Sequence, residues 1–119
     1  MASGIRISFN FNGCLGPLTV TDGVRKAFDK ALADSGLSVL GDERGERFPD
    51  DSVNLLVNLS ESHAAGGTYP KDAHFEGTVS VCHEDRDNTD KAWRLIWSLI
   101  AIFLPTRGVE FEVKQWTSK

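Results

Sequence analysis

Thr89-Asp90-Lys91-Ala92-Trp93-Arg94-Leu95-Ile96-Trp97-Ser98-Leu99-Ile100-Ala101-Ile102-Phe103-Leu104-Pro105 is the most apolar run in the chain, and its reading decides the fold. At about 100° per residue, Arg94, Ser98 and Ala101 fall on one narrow, weakly polar stripe of a helix. The large apolar side chains, from Ile102 round through Leu99, Ile96 and Trp93 to Trp97, cover an arc of roughly 220°. A helix lying on one surface needs an apolar stripe only a little over ~100° wide. This helix therefore needs cover on more than one side, from the fold itself or from a second chain. Pro105 stops it.

On either side of that run the pattern changes to alternation. Downstream, Val109, Phe111 and Val113 point one way and Glu110, Glu112 and Lys114 the other, as in a strand with one buried face. Upstream, 74–83 sets Phe75, Val79 and Val81 against His74, Glu76, Thr78, Ser80 and Cys82, and an acidic turn at 84–88 leads into the helix. Residues 52–60 place Val53, Leu55, Val57 and Leu59 inward. The segment 62–71 contains Gly66, Gly67 and Pro70 and reads as a loop.

Near the N-terminus, Ile5, Ile7, Phe9 and Phe11 alternate with Arg6, Ser8 and Asn10. Asn12-Gly13 follows as a hairpin signal, with room for a short edge arm over 14–20. Thr21 or Asp22 caps an amphipathic helix to about Ser35, where Gly36 ends it. A short strand at 37–40 and an acidic loop at 41–51 complete the chain.

The order β-α-β-β-β-α-β implies one α+β domain over 1–119: a mostly antiparallel sheet of four or five strands with two helices on one face, a ferredoxin-like α/β plait. In that plait both helices cross between parallel neighbouring strands, and 52–60 pairs with 74–83 through a long loop.

A chain of 119 residues can bury a sizeable core, and 40% apolar with 25% charged residues is an ordinary globular balance. The net charge is −4, and the acids cluster: five of 17 fall in 42–51 and four in 84–90. Without a Lys/Arg cluster nucleic-acid binding is disfavoured, because phosphate neutralisation supplies that affinity. The apolar part of 89–105 is too short for a ~30 Å hydrocarbon layer. Two cysteines make no disulfide framework, which suits a reducing, cytoplasmic setting.

The candidate chemistry is sparse. His74 and Glu76 share a strand face at about 6.6 Å, a spacing workable for a metal pair with His63, yet nothing supplies a further ligand. Cys82 lies roughly 26 Å along the strand from His74, so the two form no thiolate–imidazole pair. Asn12-Gly13-Cys14-Leu15-Gly16-Pro17 lacks the spacing and the Lys-Ser/Thr of a phosphate loop. No cofactor motif is present. The outward sheet face is polar and lacks the aromatics and basic surround of an RNA-binding sheet.

These features point to a non-enzymatic binding module, an acidic inhibitor or immunity-type protein that occludes a basic partner such as a toxin nuclease. Asp42, Glu43, Glu46, Asp50, Asp51, Glu84, Asp85 and Asp87 would steer that partner. The alternative is a small enzyme or metal- or ligand-binding protein with a pocket near His63, His74, Glu76 and Cys82. A third reading is a self-associating domain, a homodimer joined through Trp93, Trp97 and Leu104, since exposed Trp often anchors such contacts.

Overall fold

The computed structural model describes residues 2–18, 21–40, 44–84 and 86–118. Its elements run β1 (Ser3–Asn12), α1 (Thr21–Ser35), β2 (Arg44–Arg47), β3 (Val53–Leu59), β4 (Ser62–Tyr69), a single 3₁₀ turn (Pro70–Asp72), β5 (His74–Cys82), α2 (Thr89–Phe103) and β6 (Val109–Thr117). The six strands form one sheet in the order β2-β3-β4-β5-β1-β6. The architecture is α+β with two helices, compatible with a ferredoxin-like arrangement, but it has more strands than the four or five expected.

Every neighbouring pair in the sheet is antiparallel. The expected parallel neighbours are therefore absent. β5 and β6 do run the same way, but β1 lies between them and α2 crosses over it. α1 carries the chain from β1 to β2 at the opposite edge, past three intervening strands.

The largest correction concerns 62–71, expected as a loop. Residues 62–69 form a strand inserted between β3 and β5, so 52–60 and 74–83 do not pair with each other. Its small residues are packing sites rather than breakers. A Cβ added at Gly66 would come within 2.6 Å of the Phe75 ring and 3.0 Å of Phe28. Glycine there lets aromatic side chains from β5 and α1 close over the strand.

The second correction lies at the sheet edge. The expected strand at 37–40 makes only an isolated bridge between Val39 and Leu59, flanked by Leu40 N–H donating to Asn58 O and Ser60 N–H to Ser38 O. The edge strand is instead Arg44–Arg47, which an apolar alternation cannot reveal because it has no apolar side chain. Its turn into β3 is held by Phe48 N–H donating to Ser52 O at 2.9 Å and by the Arg47–Asp51 ion pair.

Gly13 adopts a positive φ of 68°, as the hairpin signal requires. The chain does not return as a strand, however. Cys14 N–H donates to Ala73 O, and the N–H groups of Leu15 and Gly16 reach Phe103 O at 3.1 and 3.0 Å, satisfying carbonyls at the end of α2.

The core lies between one sheet face and the helices. Phe9, Phe11 and Phe75 from the sheet meet Phe28 of α1 and Phe103 of α2, with Phe75 and Phe103 stacked at 4.1 Å. The wide apolar arc of α2 divides as its width demands. Ala92, Leu95, Ile96, Leu99 and Phe103 are buried, and α1 packs along the helix. Trp93 and Trp97 lean on Phe111 of β6 at 5.3 and 6.2 Å. Trp97 stays 57% exposed and Leu104, in the left-handed conformation after α2, 50% exposed. Among the described residues no helix is long and apolar enough to cross a membrane.

Candidate functional site

Four segment ends meet beside the start of α2. The β3–β4 hairpin turns through Ser60 and Glu61, since Leu59 pairs directly with Ser62. A two-residue hairpin loop favours positive φ within the loop. Here Ser60 and Glu61 avoid it, and the unusual conformation falls on Ser62 at φ 156°. For a residue with a Cβ this is a sparsely populated backbone state, held only where the surroundings over-determine it.

Those surroundings are hydrogen bonds converging on Glu61 and Cys82. Glu61 Oε1 accepts from Ser38 N–H at 2.9 Å, and Glu61 O accepts from Cys82 N–H at 2.8 Å. Cys82 O accepts from Asn88 Nδ2 at 2.7 Å, while Asn88 N–H donates to His83 Nδ1 at 3.0 Å. Asn88 stands at the N-cap of α2, yet its side chain turns back to β5 and caps nothing. The helix start is served instead by Asp87, whose Oδ1 accepts from Thr89 N–H at 2.9 Å.

Between these segments opens a cleft of about 460 Å³ lined by Ser38, Ser60, Glu61, Ser62, Cys82, Glu84, Arg86, Asn88 and Lys91. Ser62 Oγ lies 3.1 Å from His63 Nδ1. The cleft thus gathers a hydroxyl in contact with an imidazole, a partly accessible thiol, two carboxylates and two cations. Asn88 adds an unusual feature: it is 5% exposed, and its buried Oδ1 has no hydrogen-bond donor among the described residues.

A larger cavity of about 620 Å³ lies on the sheet face away from the helices. Ala65 and Gly67 form its floor, with Glu46, Asn54 and Leu56 on one side and Ser8, Asn10, Glu76 and Thr78 on the other. It holds carboxylates and amides but no thiol and no cation, whereas the smaller cleft has both.

The residues expected to share one pocket separate into two groups. His63 pairs across the sheet with Ser80, close to Cys82, whereas His74 pairs with Tyr69 at the far end of β5. The His74 ring nitrogens contact Asn12 Oδ1 at 3.0 Å and Asn10 Oδ1 at 3.1 Å. Glu76 accepts from the Tyr69 hydroxyl at 3.0 Å, a bond that raises the Tyr69 pKa. Among the described residues no group of three or more His, Cys, Asp or Glu is placed to hold a metal ion.

Of the acids expected to steer a basic partner, Asp50, Asp51 and Asp87 have local partners. Asp50 accepts from the hydroxyl and N–H of Ser52, which hold its pKa below the ordinary value, and Asp51 pairs with Arg47. The Asp87 carboxyl is likewise lowered, first by its hydrogen bonds from Thr89. Glu46 borders the larger cavity and Glu84 the smaller. Asp42, Glu43 and Asp85 lie outside the described residues.

Glu61, Ser62, Asn88 and Lys91 were not among the expected site residues. Reading 62–71 as a loop hid the hairpin that presents Ser62 to Cys82. The signal available in the sequence was Ser62 beside His63 at the start of that segment.

The fold is one on which an enzyme is built. No family model matches the chain, and no curated protein matches it significantly. Among solved structures, the crystal structure of the adenosylmethionine decarboxylase from Aquifex aeolicus matches with a TM-score of 0.82 at 19% identity, covering 93% of this chain and 88% of that one. At this identity the likeness establishes the fold alone. It overturns the expectation of a non-enzymatic inhibitor or immunity-type protein: the nearly complete overlap is with an enzyme.

Proposed function

We propose that this chain is a small enzyme whose substrate occupies the cleft between the Ser60–Glu61 turn and the start of α2, and that it decarboxylates adenosylmethionine or a related charged amino acid. The observation that carries this reading is the juxtaposition of the Ser62–His63 contact with Cys82, whose backbone is fixed on both sides by Glu61 and Asn88.

The charges of the cleft suit such a substrate. Arg86 and Lys91 can receive a carboxylate, while Glu61 and Glu84 can receive an ammonium or other cationic group. An amino acid carries both signs. Decarboxylation breaks the bond from the α-carbon to the carboxylate carbon and releases CO₂, and a carbonyl-bearing group condensed with the substrate amine as an imine would take up the electron pair left behind. A proton then replaces the lost carboxylate. The Cys82 thiol and the His63 imidazole are the groups of this chain suited to deliver it.

The test is to incubate the purified protein with adenosylmethionine carrying carbon-14 in its carboxyl group and to count released CO₂. Release above the protein-free blank, lowered at least about a hundredfold in Cys82→Ala, supports the reading. No release from adenosylmethionine or from a panel of carboxyl-labelled basic amino acids overturns it.

A further inference from the structure

The cleft at the start of α2 carries charges of both signs that do not satisfy one another. Glu61, Glu84, Arg86 and Lys91 all line it, yet among the described residues none of the four forms an ion pair. Two of them are nonetheless set in place. Ser38 N–H holds one oxygen of the Glu61 carboxylate at 2.9 Å, and Lys91 runs its stem beside Gly36, 3.8 Å from where a Cβ would stand there. Asn88 completes the set. Its Nδ2 is committed to Cys82 O, and its buried Oδ1 has no donor among the described residues.

We infer that this cleft, on the decarboxylase reading above, takes a basic amino acid of the arginine type in preference to adenosylmethionine. A guanidinium presents five N–H donors in a planar fork and needs several acceptors set around it. Glu61, Glu84 and the bare Asn88 Oδ1 supply them. An acceptor left buried without a donor is costly, so a ligand that reaches Asn88 with an N–H gains more than one that does not. Arg86 and Lys91 receive the carboxylate at the other end of the ligand.

What the cleft lacks decides against a nucleoside. Sites for flat rings seat them on aromatic or aliphatic side chains. Among the described residues none of that kind lines this cleft: beyond the charged groups, Asn88 and Cys82, its walls are the hydroxyls of Ser38, Ser60 and Ser62. The exposed rings of Phe48 and Tyr69 lie toward the opposite ends of β3 and β4, and Trp97 leans on Phe111 of β6. Trp116 covers Gly4 and lines a separate pocket with His83. The adenine of adenosylmethionine would stack on nothing here.

Calorimetric titration of the intact protein with L-arginine, L-citrulline, agmatine and adenosylmethionine tests this. Arginine should bind saturably and at least about tenfold more tightly than adenosylmethionine. Citrulline replaces the guanidinium by a neutral ureido group and agmatine lacks the carboxylate, so each should bind at least about tenfold more weakly than arginine. Glu84→Gln, at an exposed position, should weaken arginine binding while leaving the urea midpoint unchanged. The inference is overturned if arginine fails to bind, if any of the other three ligands equals it, or if Glu84→Gln has no effect. Failure of the decarboxylase reading looks different. CO₂ released from adenosylmethionine without arginine binding would sink the inference and keep that reading, whereas arginine binding with no CO₂ from any labelled amino acid would do the reverse.

Discussion

The Cys82 amide donates to the carbonyl oxygen of Glu61 at 2.8 Å, tying the end of β5 to the turn that precedes Ser62. Through this bond the hairpin that sequence patterning missed is joined to the strand it identified. The carbonyl of Cys82 is held in turn by Asn88, so the thiol-bearing residue is fixed from both sides. The cleft is therefore organised by bonds to backbone groups, with the partly accessible Cys82 thiol in its lining.

The two thiols should react differently. Cys14 is buried, and burial pushes its pKa up, whereas Cys82 is partly accessible in the cleft. A chromogenic disulfide reagent near pH 8 should titrate one thiol rapidly in the native protein and both after denaturation. Cys82→Ala should abolish the fast phase. Two fast thiols, or a fast phase that survives this substitution, would contradict the placement.

Gly66 and Gly67 should respond unequally to added methyl groups. Gly66→Ala drives a Cβ toward the rings of Phe75 and Phe28 and should cost about 1–3 kcal/mol in urea unfolding. At Gly67 the near neighbour is the end of the Asn54 side chain, 2.9 Å away, which can turn aside. Gly67→Ala should cost clearly less. Equal effects would argue against 62–69 as a strand covered by aromatic rings.

Asn88→Ala removes the donor to Cys82 O and leaves that carbonyl without its partner. A loss of about 1–3 kcal/mol is expected, read from the urea midpoint at an unchanged m-value. If stability is unaffected, Asn88 does not fix the end of β5.

The Asp87 carboxyl gives a pH dependence of known sign. Its pKa is lowered in the folded chain, first by hydrogen bonds from Thr89 and to a lesser degree by His83. A lowered pKa means that the contribution is complete above the ordinary carboxylate value of roughly 3.9 and is lost as pH falls through the folded one. A carboxyl-carbon NMR titration should place Asp87 below an unstructured aspartate, and Thr89→Ala should move it back upward. An unshifted Asp87 would contradict the helix-start contact.

Much of the fold was legible because its strongest patterns are set by burial. Val53 through Leu59 and Ile5 through Phe11 alternate because one face of each strand is sealed, and the arc of α2 is wide because sheet, α1 and β6 all touch it. What escaped notice was set by neighbours distant in sequence. Gly66 signals a break locally, yet its bareness accommodates the rings of Phe75 and Phe28. Arg44–Arg47 is an edge strand with nothing to bury. The cleft was half visible: His63 and Cys82 were candidates, but only pairing β4 with β5 shows that they belong together while His74 and Glu76 lie elsewhere. The acidic clusters, read only as charge, left the local contacts of Asp50, Asp51 and Asp87 with Ser52, Arg47 and Thr89 unseen.

The central claim is that ligand enters at the Ser62–Cys82 end of the sheet. Its most direct test is an amide nitrogen–proton NMR titration of the protein with adenosylmethionine. Saturable shifts are expected at Ser38, Glu61, Ser62, Cys82 and Lys91, with Ala65 and Gly67 unmoved. Shifts centred on Ala65 and Gly67 would contradict the claim, as would the absence of shifts with adenosylmethionine and with basic amino acids.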